Sequence, residues 1–298
     1  MAKTKKNITQ NYMVIALVLI FLGVISAVLI KENNKSKNNN STASQEDNIT
    51  NSGESNKPVE QEKDRFDGLT LINDDRGVPV LYYHSVDSSE ANEVIISPDR
   101  LREQLQYIKD SGYTSLTMSE LNDYIVNEKE IPEKSIVITF DDGYADNYTN
   151  AFPILKELDM KATIFVITSG IDKDDYYLTS NKIKEMSDYG IDIESHTVNH
   201  RNILNEKLTY DEQLEEFKNS KETLEKITGK PVLAIAYPFG DFNDNSIKAA
   251  KEAGYSLAFK TDLGYSNRAD GALTLDRIYV SSRYSMDLFK NRLTNIQK

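Results

Sequence analysis

Two adjacent aspartates end an apolar run in "SIVITFDDG" (135–143), and two histidines stand four positions apart in "HTVNH" (196–200). One aspartate and two imidazoles make a three-ligand set for a divalent ion, with a coordination position left open for water. The second aspartate is then free to take a proton from that water. The histidine pair is not the zincin motif, because Thr197 stands where that motif has its general-base glutamate. Alone, Asp-Asp-Gly reads equally well as a turn, and two histidines as a solvated face. Their emergence from two different strand ends favours the metal. The third and last histidine, His84, follows "VLYY". It is either a satisfied core residue or the acid that an amide's leaving nitrogen requires. Tyr83, Tyr144 and Tyr237, like Tyr82, flank these stretches and are candidates to line a substrate groove.

Short β-branched runs alternate with amphipathic segments from about residue 67 to 298. Strands are expected at 78–84, 135–140, 162–167, 191–195, 232–236, 255–259 and 277–280, and helices between most of them. Ser97 and Pro98 open one helix, and the pairs Thr117/Glu120 and Thr209/Glu212 are capping boxes for two more. The strands are apolar on both faces, which suits a parallel sheet covered by helices. The fold class is therefore α/β, a deformed (β/α) barrel, with an open doubly wound sheet as the alternative. In a barrel the strand C-termini share one rim, where His84, Asp141, Asp142, His196, His200 and the "YPFG" turn (237–240) would meet.

Ahead of this body lie a tail (1–11), an uncharged apolar run (12–30) and an Asn/Ser/Lys/Glu-rich stretch (31–66). The run is long enough to span a membrane, and Lys3, Lys5 and Lys6 before it keep the tail cytoplasmic. A signal-anchor helix is expected, with a cleaved signal peptide as the alternative. Either sends the body outside; with the anchor kept, the chain is a single-pass cell-membrane protein of Gram-positive type. The polar stretch cannot bury a core and reads as a disordered tether. The absence of cysteine excludes disulfides and thiolate chemistry. A net charge of −12, more acidic still past the three lysines, disfavours a phosphate-rich partner, and no nucleic acid is expected. The chain is expected to act as a monomer.

"TFDDG" (139–143), "HTVNH" (196–200) and "AYPFG" (236–240), in this order, resemble the polysaccharide deacetylases of carbohydrate esterase family four. The resemblance implies removal of N- or O-acetyl groups from glycans on a deformed β/α barrel. It implies Asp141 as catalytic base, Asp142, His196 and His200 as metal ligands (zinc first among the divalent ions), and the Phe239 backbone N–H as oxyanion donor. Two features depart from the family pattern. Ala236 stands where the third motif has a base-orienting arginine, which leaves Arg277 in "LDRIYV" as a replacement, and no histidine follows His200. The rearranged poly-N-acetylglucosamine deacetylase subgroup is similar on both counts, and its early "YH" implies His84 as general acid. The implied substrate is an N-acetylglucosamine polymer, either poly-N-acetylglucosamine or peptidoglycan.

Overall fold

The computed structural model describes residues 65–296. Seven strands carry the architecture: β1 (Val80–Tyr83), β2 (Ser135–Phe140), β3 (Thr163–Val166), β4 (Asp192–Ser195), β5 (Ala234–Ala236), β6 (Leu257–Leu263) and β7 (Leu275–Tyr279). Each pairs in parallel with the next, and β7 returns to pair with β1, so the sheet closes into a barrel. Closure removes the two edges of the open-sheet alternative. Seven strands where the regular barrel has eight account for its deformation. The expected strand at 255–259 runs on to Leu263, and the connection from β6 to β7 contains only a short 3-10 turn, Arg268–Asp270, in place of a helix.

Strand alternation sorts the apolar residues into two cores. Leu81, Tyr83, Ile138, Phe140, Ile164, Ile193, Ile235 and Ile278 face outward and form one cluster with the surrounding helices. Val80, Val137, Phe165, Ala236, Phe259 and Leu275 face inward and fill the barrel. Among the described residues seven α-helices follow the chain: α1 (Pro98–Asp110), α2 (Met118–Asn127), α3 (Phe152–Leu158), α4 (Ser180–Tyr189), α5 (Tyr210–Thr228), α6 (Asp244–Glu252) and α7 (Met286–Thr294). Both capping boxes form, Thr117 with Glu120 on α2 and Thr209 with Glu212 on α5. Ser97 precedes α1 as expected but makes no side-chain cap bond; Pro98 sits at the first helical position. Helix α2 places Met118, Leu121 and Tyr124 in the inner cluster and so plugs the N-terminal end of the barrel. The other end, where the strands terminate, is left to polar side chains.

The body begins slightly before residue 67. Arg65 pairs with Glu120 at 2.9 Å and Phe66 packs on the inner cluster. Among the described residues no helix is long and apolar enough to cross a membrane. The expected span at 12–30 and most of the expected linker lie outside the described residues.

Candidate active site

The C-terminal rim brings the two sequence signals together. Asp142 follows β2, His196 follows β4, and His200 closes a tight loop after it. The His196 Nε2 and His200 Nε2 atoms lie 3.5 and 3.7 Å from the same Asp142 Oδ1. One oxygen and two nitrogens about 2.1 Å from a tetrahedral ion would stand about 3.4 Å apart, close to these separations. Asp142 Oδ1 is buried with no hydrogen-bond partner, which is costly unless a cation sits there. His196 Nδ1 lies 2.8 Å from the Ala236 carbonyl. That acceptor holds the proton on Nδ1 and leaves the Nε2 lone pair for an ion. The three residues therefore fit a divalent metal.

Behind them Asp141 is 2% exposed and Arg277 fully buried. The guanidinium meets the carboxylate with both forks, Nη1 to Oδ1 at 2.7 Å and Nη2 to Oδ2 at 2.8 Å. It lies 4.3 Å from the centre of the Tyr82 ring and also faces Phe165 and Phe259. Burial alone would raise the Asp141 pKa; the charge and hydrogen bonds of Arg277 lead the influences that outweigh it and bring the value down to about 2. Arg277 thus occupies the position relative to Asp141 that an arginine at 236 would otherwise serve. Ala236 is inward-facing and contributes only its carbonyl.

His84 stands beside Asp141, because β1 and β2 are in register (Tyr83 opposite Phe140) and the Asp141 N–H bonds the Tyr83 carbonyl at 2.9 Å. Its Nδ1 is buried without a partner. Burial lowers its pKa, and the charges of Asp141 and Asp142 oppose that. The loop carrying it is tied from the other side: Asn147 Nδ2 donates to the His84 carbonyl at 2.8 Å and Ser85 Oγ to Asp146 at 2.5 Å. Asp146 and Asn147 were not among the sequence candidates. Their signal was two more polar residues just past Asp-Asp-Gly, Asp146 before and Asn147 opening the helical turn Asn147–Ala151 that precedes α3.

Nine described non-glycine residues have positive φ, and four lie here: Asp142 (75°), Thr197 (67°), His200 (52°) and Phe239 (60°). Each costs on the order of 1–3 kcal/mol and persists only where its surroundings dictate it. Phe239 holds its ring 4.6 Å from that of His200, at 58% exposure.

The tyrosines divide. Tyr144 lines a groove of about 460 Å³ with Asp142, His200, Phe239, Tyr177 and Lys173. Burial, then the Asp142 charge, push its phenol pKa upward. The half-exposed Tyr176 ring lies 4.9 Å from that of Tyr144 and was missed in the sequence. Tyr83 and Tyr237 do not reach the groove. Both point outward from their strands into the helix-facing core, where Tyr83 bonds Gln104 and Tyr237 stacks on Phe242 and bonds the Leu273 carbonyl. Alternation fixes this: Tyr82 and Ala236, one position earlier, are the inward residues.

Comparison with known proteins agrees with this geometry. Residues 128–258 match the family model for polysaccharide deacetylase. The chain is 36% identical over 212 residues to the Bacillus subtilis protein named "Putative polysaccharide deacetylase YxkH", covering 71% of this chain and 74% of that one. It is 28% identical over 193 residues to the poly-beta-1,6-N-acetyl-D-glucosamine N-deacetylase of Staphylococcus aureus strain MRSA252, covering 61% of this chain and 66% of that one. The solved structure of the Streptococcus pyogenes deacetylase PplD in complex with acetate superposes with a TM-score of 0.69 at 34% identity. It covers 74% of this chain and 99% of that one.

Proposed function

The chain belongs to the polysaccharide deacetylases, and on that premise we propose that it removes N-acetyl groups from an N-acetylglucosamine polymer outside the cell, with a divalent metal, zinc first, as cofactor. The observation that carries this reading is the convergence of Asp142, His196 and His200 next to the Asp141–Arg277 pair. The likeness to a protein named as a poly-N-acetylglucosamine deacetylase supports the substrate class.

Asp142, His196 and His200 would hold the metal, which when bound polarises the acetyl carbonyl and acidifies a water. Asp141 takes the proton as that water attacks the carbonyl carbon. Arg277 keeps Asp141 ionised and fixes its plane. The Phe239 N–H donates to the oxyanion of the tetrahedral intermediate. His84, once protonated, passes its proton to the leaving glucosamine nitrogen, and acetate and a free amine result. Burial weakens the hold of His84 on that proton, which makes it the stronger donor. Tyr144, with Tyr176 and Tyr177 beside it, offers ring faces to the sugar. The apolar run at 12–30 anchors a single monomeric chain in the membrane and places this rim outside.

Acetate release tests the reading. The protein is offered poly-N-acetylglucosamine oligomers, peptidoglycan and O-acetylated glycan, each with and without a chelator. Chelator-sensitive release from an N-acetylglucosamine polymer is expected, and Asp142→Ala should abolish it. Binding without acetate from any substrate, metal supplied, would replace the enzyme with a glycan-binding protein. Release from the ester alone would move the reaction to O-acetyl groups.

A further inference from the structure

The loop between the two histidines has an unfavourable backbone. Thr197 and His200 both lie in the left-handed region, φ 67° and 52°, and neither is glycine. Something must hold the loop in that shape, because the position of His200 Nε2 depends on it. The His200 N–H bonds Thr197 Oγ1, and the Thr168 and Ser169 N–H groups bond the Thr197 and Val198 carbonyls; the two N–H groups between converge on one side chain. Glu216, on α5, accepts from the Val198 N–H at 3.0 Å and the Asn199 N–H at 2.8 Å through one carboxylate oxygen. Its other oxygen accepts from Asn199 Nδ2 at 2.6 Å. The side chain is 8% exposed, so these bonds form largely out of water.

Two successive backbone N–H groups aimed at one anion form a small anion-binding nest. A carboxylate suits it, because it accepts at both oxygens and donates at neither. An amide in its place must turn an N–H₂ group toward a donor. We infer that Glu216 is a positioning residue for the metal: it holds the 197–200 loop so that the His200 imidazole faces Asp142 and His196. The inference rests on the metal reading of those three residues. It goes beyond that reading by naming a group that touches neither ion nor substrate. The purely architectural alternative is that Glu216 only fastens a surface loop to a helix. Then its loss would lower the melting temperature and leave metal affinity alone.

Outer partners of metal ligands typically change metal affinity about 10–100-fold when removed. The experiment uses the full chain, stripped of metal and titrated with Zn²⁺ against a chelating dye and with Co²⁺ by visible absorption. Glu216→Gln should weaken Zn²⁺ binding by about 10–100-fold and alter the Co²⁺ spectrum, with the metal-free melting temperature followed in parallel. Glu216→Asp, which keeps both acceptors on a shorter stem, should recover part of the affinity. Should Glu216→Gln fail to fold, the exposed Asn199→Ala decides. It removes the Nδ2 bond alone and should weaken Zn²⁺ binding in the same direction by a smaller factor. Unchanged affinity and spectrum in Glu216→Gln, or in Asn199→Ala where that variant decides, would overturn the inference even if melting fell. Absence of Zn²⁺ and Co²⁺ binding by the unaltered protein would instead overturn the metal reading beneath it.

Discussion

Three carboxylates in the interior of this barrel end in different states. At the rim, Asp141 is buried yet held at a pKa of about 2. On β4, Glu194 is equally buried and is pushed well above the usual carboxylate range by that burial. Asp192, nearer the plug, is raised to about 6, again chiefly by burial. The solvation penalty is the same kind of term in all three; what differs is the partner. Asp141 has a bidentate guanidinium. Glu194 and Asp192 have only backbone N–H donors, Ala234 at 2.7 Å with Leu233 beside it for the first and Met118 at 2.6 Å for the second. One end of the barrel keeps a carboxylate ionised and fit to take a proton. The other holds carboxyls whose protons are retained to higher pH, Glu194 most of all.

The largest break in this contrast comes from removing the charge at the rim. Asp141→Asn should lower kcat/KM by about 10²–10⁴-fold, the range for loss of a general base, with Zn²⁺ affinity largely kept. Removing the partner instead makes the rim resemble β4. Arg277→Met leaves Asp141 buried and unpaired, which should cost about 3–5 kcal/mol in denaturant unfolding. It should also shift the acid limb of the rate profile to higher pH.

The pH dependence of unfolding separates the two ends further. Asp141, depressed in the folded state, stabilises above the unfolded value near 4. That contribution, about 2–3 kcal/mol, is lost as pH falls from about 4 toward 2. Asp192, raised in the folded state, acts with the opposite sign. Its contribution is full below about pH 4 and is lost as pH rises toward 6, by at most about 3 kcal/mol. Asp192→Asn should flatten stability between pH 4 and 6, and equal slopes in both proteins would show that Asp192 does not titrate there. The smallest effect is expected from Glu194→Gln. The amide mimics a protonated carboxyl, so unfolding at pH 7 should change by less than about 1 kcal/mol. A loss comparable to that of Arg277→Met would mean that Glu194 is ionised after all.

Much of the fold was legible because its signals are local. The capping boxes of α2 and α5 lie within four residues each, and both form. The strand positions followed from short β-branched runs, and their apolar character on both faces foretold the helical cover. That same character hid the phase of each strand. With no polar face, nothing in "VLYY" tells Tyr82 from Tyr83, and a one-residue error exchanges the barrel interior for the helix layer. Tyr83 and Tyr237 were misplaced for that reason. Buried Glu194 and half-buried Asp192 looked like ordinary polar residues of a short strand.

The sequence by itself determined the donor chemistry: which few side chains can bind an ion or move a proton, and that they follow strand ends. It could do so because Asp-Asp-Gly and the histidine pair are short-range patterns set by backbone periodicity. Only the tertiary structure decided the partners. Arg277 reaches Asp141 across 136 positions, and Glu216 reaches the histidine loop from a separate helix. Such pairs are made by closure of the barrel and packing of α5, which place distant residues within hydrogen-bond range at no fixed spacing along the chain. The ionisation of a buried acid depends on such partners.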